Sequence, residues 1–440
     1  MVRAWICIRY TKFASLCGLL LLAPRLAQAA PPTPAEIASA KSVFADAKAV
    51  SEHEGGRLWG KTLYGRMLLV DPDTRAVVAN KADAKHLLAP KAGVFVGTLP
   101  EDVIVANAPT EWEGERWTQL LLPTIPSDAM TRNITLAHEM FHRIQPELHL
   151  MAKDSSNPQL DTKTGRLWLR LEWRALAAAL VETGPAQTQA IRDALAFRDQ
   201  RQMLFPGSAA TEASLEIAEG IPQYTGTVAA EPDAASARWR AAADLVHPDT
   251  RISFVRSFAY VSGPGYGLLL DARLPGWRRQ LNEKSDLGQM LEATLPHAAP
   301  EPVRTRAALY GAAAIQSSEA DRAARLASTL ANYRATLAEG PTLVTPSPHK
   351  FSFNPSTVVS LGAKGNVYPT FHAVAPWGTL DVKAGVLIPK DFSSATVTAP
   401  ILIKGLHLEG HGWTINLAPG WSLEPGARAG SYVLSKENPQ

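Results

Sequence analysis

The pattern His-Glu-x-x-His occurs in the first third of this 440-residue chain, with its histidines at His138 and His142. A spacing of four residues places two side chains one turn apart on the same face of an α-helix. Two neutral imidazoles so placed can bind one Zn²⁺ ion, and Glu139 can reach water beside it. A serine and an aspartate at 127–128 can cap this helix, and Pro146 ends it. We therefore predict a helix that carries a zinc site on one face.

The acidic residue between the histidines predicts hydrolytic chemistry. A carboxylate at Glu139 can take a proton from water at the metal and later pass it to a leaving amine. A third metal ligand is also needed, and two acidic residues are candidates. Glu219 precedes a glycine, whereas Glu172 lies within an apolar run. Glu172 could instead hydrogen-bond a ligand histidine or form an ion pair with Arg170 or Arg174.

The first 29 residues predict an export signal. They contain four basic residues and no acidic one, and the apolar run over 13–23 is too short for the ~20 residues of a membrane span. Ala27-Gln-Ala29 fits a cleavage site before Ala30. Both cysteines lie in this segment, so we expect a mature chain without disulfides or thiolate ligands. The expected location is periplasmic or secreted.

The composition excludes several classes of protein. Hydrophobic residues make up 46% and charged residues 19%, which excludes a disordered chain. Without the first 29 residues, 40 basic residues balance 41 acidic ones and no basic run remains. We therefore expect no nucleic-acid partner. No later apolar run reaches 18 residues, so we expect no stable membrane span after signal removal.

Changes in residue pattern along the chain predict an α+β fold with several parts. Short apolar runs bounded by turn residues predict strands over 66–70, 75–79, 93–97, 103–106 and 117–122. Helical periodicity dominates from residue 127 to about 339, and short alternating runs with Gly and Pro follow a Pro-bearing segment. The predicted parts are a signal peptide (1–29), a mostly β part (30–125), a helical zinc-site domain (126–340), a linker (341–349) and an all-β sandwich (350–440).

Two further segments are similar to signatures of a known family. Glu219-Gly-Ile-Pro-Gln-Tyr224 resembles the E-G-x-A-x-Y signature of the aminopeptidase N and peptidase-MA-like gluzincins, with Pro222 at the alanine position. Tyr260-Val-Ser-Gly263 resembles their Y-x-K-G helix start. The resemblance implies a zincin-like domain, in which the strand ahead of the motif helix, here 117–122, is an edge strand that binds substrate. It implies zinc ligands His138, His142 and Glu219, general base and acid Glu139, and oxyanion donor Tyr260.

These observations predict an exported zinc metallopeptidase that acts on a peptide or protein substrate. Two alternatives stay open at the level of sequence. The first is a non-catalytic exported binding or adhesion protein that keeps the zincin scaffold. The second is a zinc amidase that acts on cell-wall peptide. The sequence leaves the cleavage specificity and the oligomeric state open.

Overall fold

The computed structural model describes residues 31–436 except 73, 101–102, 154, 248–252, 300 and 354–356. The predicted signal segment and its cleavage site before Ala30 lie outside the described residues. None of the helices in the described part of the chain combines the length and the apolar composition needed to cross a bilayer. Helices and strands are both abundant, which confirms the predicted mixture of α and β structure.

Helices fill the central part of the chain. In chain order they are α1 (Pro34–Glu54), α2 (Ala129–Ile144), α3 (Lys163–Val181), α4 (Gly184–Leu204), α5 (Ser208–Leu215), α6 (Ile221–Ala230), α7 (Ala234–Val246), α8 (Phe258–Arg273), α9 (Leu287–Glu292), α10 (Val303–Leu309) and α11 (Ala312–Tyr333). Helix α2 is the predicted motif helix. The Asp128 carboxylate caps it by accepting a hydrogen bond from the Thr131 N–H, and the helix ends just before Pro146.

Six strands form the N-terminal sheet. They are β1 (Met67–Val70), β2 (Ala76–Ala79), β3 (Ala89–Lys91), β4 (Val94–Thr98), β5 (Ala108–Trp112) and β6 (Glu115–Leu121). Their order is β3-β4-β2-β1-β6-β5, in which β1 and β6 run parallel and the other neighbours antiparallel. Four of the five predicted strands are confirmed. The prediction over 103–106 is wrong, because the side chain of Gln119 binds the main chain of Ile104 and Ala106 there in place of a neighbouring strand.

The strand ahead of the motif helix is not the edge strand that the sequence predicts. Strand β6 lies between β1 and β5, and β5 is the edge. A two-residue turn with positive φ at Glu113 and Gly114 connects β5 to β6 as a tight hairpin. Strand β5 escaped prediction because Pro109 and Glu111 interrupt its apolar pattern. Proline is tolerated at an edge, where one side of the strand has no partner.

The C-terminal part is all β, as predicted. Its strands are β7 (Thr342–Pro346), β8 (Lys350–Phe353), β9 (Val359–Ser360), β10 (Asn366–Tyr368), β11 (Phe371–Ala375), β12 (Gly378–Val382), β13 (Val386–Ile388), β14 (Ser394–Thr398), β15 (Leu402–Lys404), β16 (His407–Gly410), β17 (Trp413–Leu417), β18 (Trp421–Pro425) and β19 (Tyr432–Lys436). They form a seven-stranded and a six-stranded sheet whose buried side chains share one hydrophobic core.

The segment 341–349, predicted as a linker, contributes a strand to this region. Strand β7 pairs with β14 in antiparallel and with β19 in parallel register. Leu343 is fully buried in the shared core. The prolines suggested a linker, but Pro346 stands at the last position of the strand, so the preceding residues remain free to pair.

Candidate metal centre

Helix α2 brings the two histidines of the motif together. The Nε2 atoms of His138 and His142 lie 3.0 Å apart. The Nδ1 atom of His138 lies 3.0 Å from the amide oxygen of Gln223, and the Nδ1 atom of His142 lies 2.8 Å from that of Gln145. An amide oxygen only accepts hydrogen bonds, so each Nδ1 carries a proton. The Nε2 atoms of both rings face the same point, where either a proton or a metal ion can bind.

Glu219 supplies a carboxylate at that point. Its Oε2 atom lies 3.5 Å from Nε2 of His138 and 3.6 Å from Nε2 of His142. The three potential ligand atoms all lie within 4.8 Å of one another, so this group could hold a metal ion. Burial alone would raise the pKa of Glu219, but hydrogen bonds and charge from the two histidines outweigh it and lower that pKa far below its usual range. The carboxylate is therefore ionised and able to act as a ligand.

The local backbone around Glu219 is unusual. Helices α5 and α6 are joined without a break by a π-helical turn over Glu216–Gly220, so the two form one continuous rod. Such a turn inserts an extra residue into a helix and often occurs at functional sites. Here it places Glu219 opposite the histidines of α2, against which α6 packs closely.

Two side chains hold the Glu219 carboxylate from other directions. The Arg256 guanidinium donates to Oε1 at 3.1 Å, and the Tyr260 hydroxyl donates to Oε2 at 2.5 Å. Tyr260 lies in the first turn of α8, and its ring stacks on that of His138 with the centroids 5.3 Å apart. Burial and then the charge of Glu219 raise the pKa of Tyr260 well above its usual range. The tyrosine is therefore a neutral hydrogen-bond donor beside the candidate ligands.

Glu139 is buried next to the histidines. It is 9% exposed, and its Oε2 atom makes no hydrogen bond to any described residue. Burial raises the pKa of Glu139, and the nearby His138 and His142 oppose part of that rise. Burying a carboxylate oxygen without a hydrogen-bond partner destabilises the folded protein. The Oε2 atom of Glu139 therefore keeps a hydrogen-bonding capacity that no described residue satisfies.

Glu172, the rival candidate ligand, lies in a different cluster. Its carboxylate accepts hydrogen bonds from Arg201 at 2.5 Å and from the Tyr266 hydroxyl at 2.6 Å, and the residue is fully buried. The expected ion pair with Arg170 or Arg174 is also absent, because those side chains are directed toward α11 and the turn before it. The structure thus separates Glu172 from both histidines and leaves Glu219 as the third member of the group.

Three residues around the site were not predicted from the sequence. Gln145 and Gln223 orient the histidine rings, and Arg256 binds the Glu219 carboxylate. Two of them carry a weak sequence signal, since Gln145 follows His142 by three residues and Gln223 follows Glu219 by four. Both spacings place side chains on one helical face. Arg256 has no such signal, because only tertiary packing brings it to Glu219.

The three potential ligand atoms have the chemistry and the spacing of a metal site. Two imidazole nitrogens 3.0 Å apart, with a carboxylate oxygen beside them, need a positive charge between them, which a proton or a metal ion can supply. The three residues therefore fit a metal ion. In comparisons with protein-family models, curated proteins and solved structures, no match to this chain was found.

Proposed function

We propose that this chain is an exported, zinc-dependent metallopeptidase with a zincin-like fold of gluzincin type. The observation that supports the proposal is one cluster in which two imidazole nitrogens and a carboxylate converge beside a second carboxylate, that of Glu139, whose Oε2 atom has no partner among the described residues. Two histidines with one glutamate form a ligand set typical of catalytic zinc, which keeps one coordination position open. His138, His142 and Glu219 would hold the ion.

When bound, zinc supplies Lewis acidity and an activated water nucleophile. Glu139 then has the role of general base and acid: its unpaired Oε2 atom accepts a proton from water and returns it to the leaving amine. The burial that raises its pKa favours this exchange, because a base is most effective when its pKa is not far below the working pH. The low-dielectric surroundings strengthen each of these electrostatic interactions.

Tyr260 has the role of oxyanion donor. In the structure its hydroxyl donates to Glu219, and a negatively charged oxygen on the substrate would compete for that hydrogen bond. Arg256 keeps its own hydrogen bond to the other carboxylate oxygen of Glu219. The ligand therefore stays oriented when Tyr260 turns toward the substrate.

The proposed substrate is an extended peptide that adds to the edge strand β5. Strand β5 packs against the motif helix α2 and borders the N-terminal sheet. Edge strands present unpaired main-chain N–H and C=O groups, which an incoming peptide can pair with. This assignment replaces the sequence-based one, which placed the substrate on the strand over 117–122.

The experiment that tests the function compares Glu139→Gln with the wild type. A peptide library is digested by each purified protein, with and without a chelator, and the zinc content of both is measured. We expect zinc in both proteins and hydrolysis by the wild type alone, because an amide cannot accept the proton. A wild type that binds zinc but cleaves no library peptide would refute the peptidase and leave the amidase and the non-catalytic binding protein. Equal cleavage by both proteins would refute the role of Glu139.

A further inference from the structure

One buried side chain connects the two elements that carry the candidate ligands. Gln145 is 3% exposed, and its amide oxygen lies 2.8 Å from Nδ1 of His142. Its amide nitrogen has two hydrogens and lies within hydrogen-bond distance of three main-chain carbonyls, those of Leu150 at 3.0 Å, Ile217 at 3.3 Å and Ala218 at 3.4 Å, so one N–H is shared. The last two belong to the π-helical turn that carries Glu219. Gln145 thus touches one ligand directly and the backbone of another.

The carbonyls of the π-helical turn need this donor because they lose their α-helical ones. The N–H of Ile221 donates to Glu216, one residue further back than in an α-helix, and so misses Ile217. Pro222 has no N–H and cannot donate to Ala218. A buried carbonyl without a hydrogen bond is destabilising. The Gln145 amide fills this need, and it can do so only with its nitrogen directed at the turn and its oxygen at His142.

Gln223 contacts His138 as Gln145 contacts His142, but no other group in the described part of the chain holds the rest of the Gln223 amide. Its amide oxygen accepts from Nδ1 of His138 at 3.0 Å. Among the described residues, its amide nitrogen makes no hydrogen bond, and the residue is only half-buried. A carboxylate at this position would therefore keep the contact to the ring and lose nothing else. A histidine that donates to a carboxylate is one of the common arrangements in zinc sites.

We propose that Gln145 is a positioning residue of the metal centre. Its neutral amide fixes the position of the His142 ring relative to the turn that carries Glu219. The inference rests on the proposed metal site and not on any hydrolytic activity. It follows that a neutral amide is required at position 145 but not at position 223. A carboxylate at 145 would direct an oxygen at three carbonyl oxygens, and repulsion would move the turn.

The test is a matched pair of substitutions, Gln145→Glu and Gln223→Glu, made in the otherwise unchanged chain. Zinc affinity is measured by competition with a chromophoric chelator, and the unfolding of each metal-free protein is followed by circular dichroism. We expect Gln145→Glu to lose about 10 to 100-fold in zinc affinity, the range typical of residues that orient a metal ligand. We expect Gln223→Glu to bind zinc as tightly as the wild type or more tightly.

If Gln145→Glu does not fold, Gln145→Met provides the same test, because it keeps the volume and removes both polar contacts. Its zinc affinity should fall by a similar factor. Equal affinities for wild type and the variants at position 145, or equal losses at positions 145 and 223, would overturn the proposal. A wild type that binds zinc without cleaving peptides would refute the peptidase function, whereas a selective loss at position 145 would still support this inference.

Discussion

Gly220 and Gly263 pack backbone against backbone where the turn that carries Glu219 crosses helix α8. A Cβ atom added to Gly263 would lie 2.3 Å from the carbonyl oxygen of Gly220, and one added to Gly220 would lie 3.1 Å from the Cα atom of Gly263. Glu219 and Tyr260 lie beside this crossing, and their side chains meet at 2.5 Å. The closeness of the two helices therefore sets the contact between a candidate metal ligand and the proposed oxyanion donor.

The first prediction is that Gly263→Ala disturbs both stability and metal binding. The added methyl group has backbone atoms as neighbours, which cannot turn aside as a side chain can. We expect a loss of about 1–3 kcal/mol in the free energy of unfolding, measured by urea denaturation, and weaker zinc binding. Gly265→Ala on the same helix is the control, since its methyl group would meet the flexible side chain of Leu245 first, at 3.3 Å. Equal stability of Gly263→Ala and the wild type would contradict this account.

The second prediction separates the two acids that compete as third ligand. Glu219→Gln should weaken zinc binding by more than the ~10 to 100-fold typical of a residue that only orients a ligand. Glu172→Gln should leave zinc affinity unchanged but lower stability by about 3 kcal/mol, because it weakens a buried pair with Arg201. Zinc titration and urea denaturation of both variants provide the measurement. The reverse ranking of zinc affinities would make Glu172 the ligand.

The motif helix was predictable because the residues that define it are close together in the sequence. His138 and His142 are neighbours on any α-helix, and Pro146 limits its length. Glu219 is far away in sequence, so no periodicity connects it to the histidines, and only the resemblance to gluzincin signatures indicated it. For Gln145 the sequence shows only the helical spacing from His142; its second contact depends on carbonyls that the π-helical turn leaves without α-helical donors.

The sheet shows the same limit. Hydrophobic alternation identifies buried strands such as β6, but position within a sheet depends on pairing between distant segments. Strand β5 is an edge strand and carries Pro109 and Glu111. Edge strands tolerate such residues, but they interrupt the hydrophobic alternation from which strands are predicted. The sequence therefore predicts the sheet edge at β6, one strand away from where it lies.

The third prediction concerns Tyr260→Phe. Removing the hydroxyl should lower kcat by about 10²–10³ with little change in KM, because a donor that meets charge only in the transition state contributes nothing to substrate binding. Steady-state kinetics on a cleaved library peptide give both constants. Zinc affinity should stay near the wild-type value, since Arg256 still holds the Glu219 carboxylate. An unchanged kcat would reduce Tyr260 to a structural role.

The fourth prediction concerns the mature amino terminus. Cleavage before Ala30 leaves the whole of helix α1 and its capping box intact, in which Thr33 and Glu36 exchange hydrogen bonds. Amino-terminal sequencing of the protein recovered from the exported fraction should therefore begin at or near Ala30. A chain in the membrane fraction that still begins at Met1 would show that the first segment is an anchor.

The most direct test of the central claim is the zinc content of the purified mature protein, measured by atomic emission against protein concentration. The variant that carries both His138→Ala and His142→Ala serves as the control, since it keeps the fold of α2 and removes both imidazoles. The account predicts one zinc ion per chain in the wild type and none in the variant. A wild type without stoichiometric zinc, or a variant that retains it, would contradict the account.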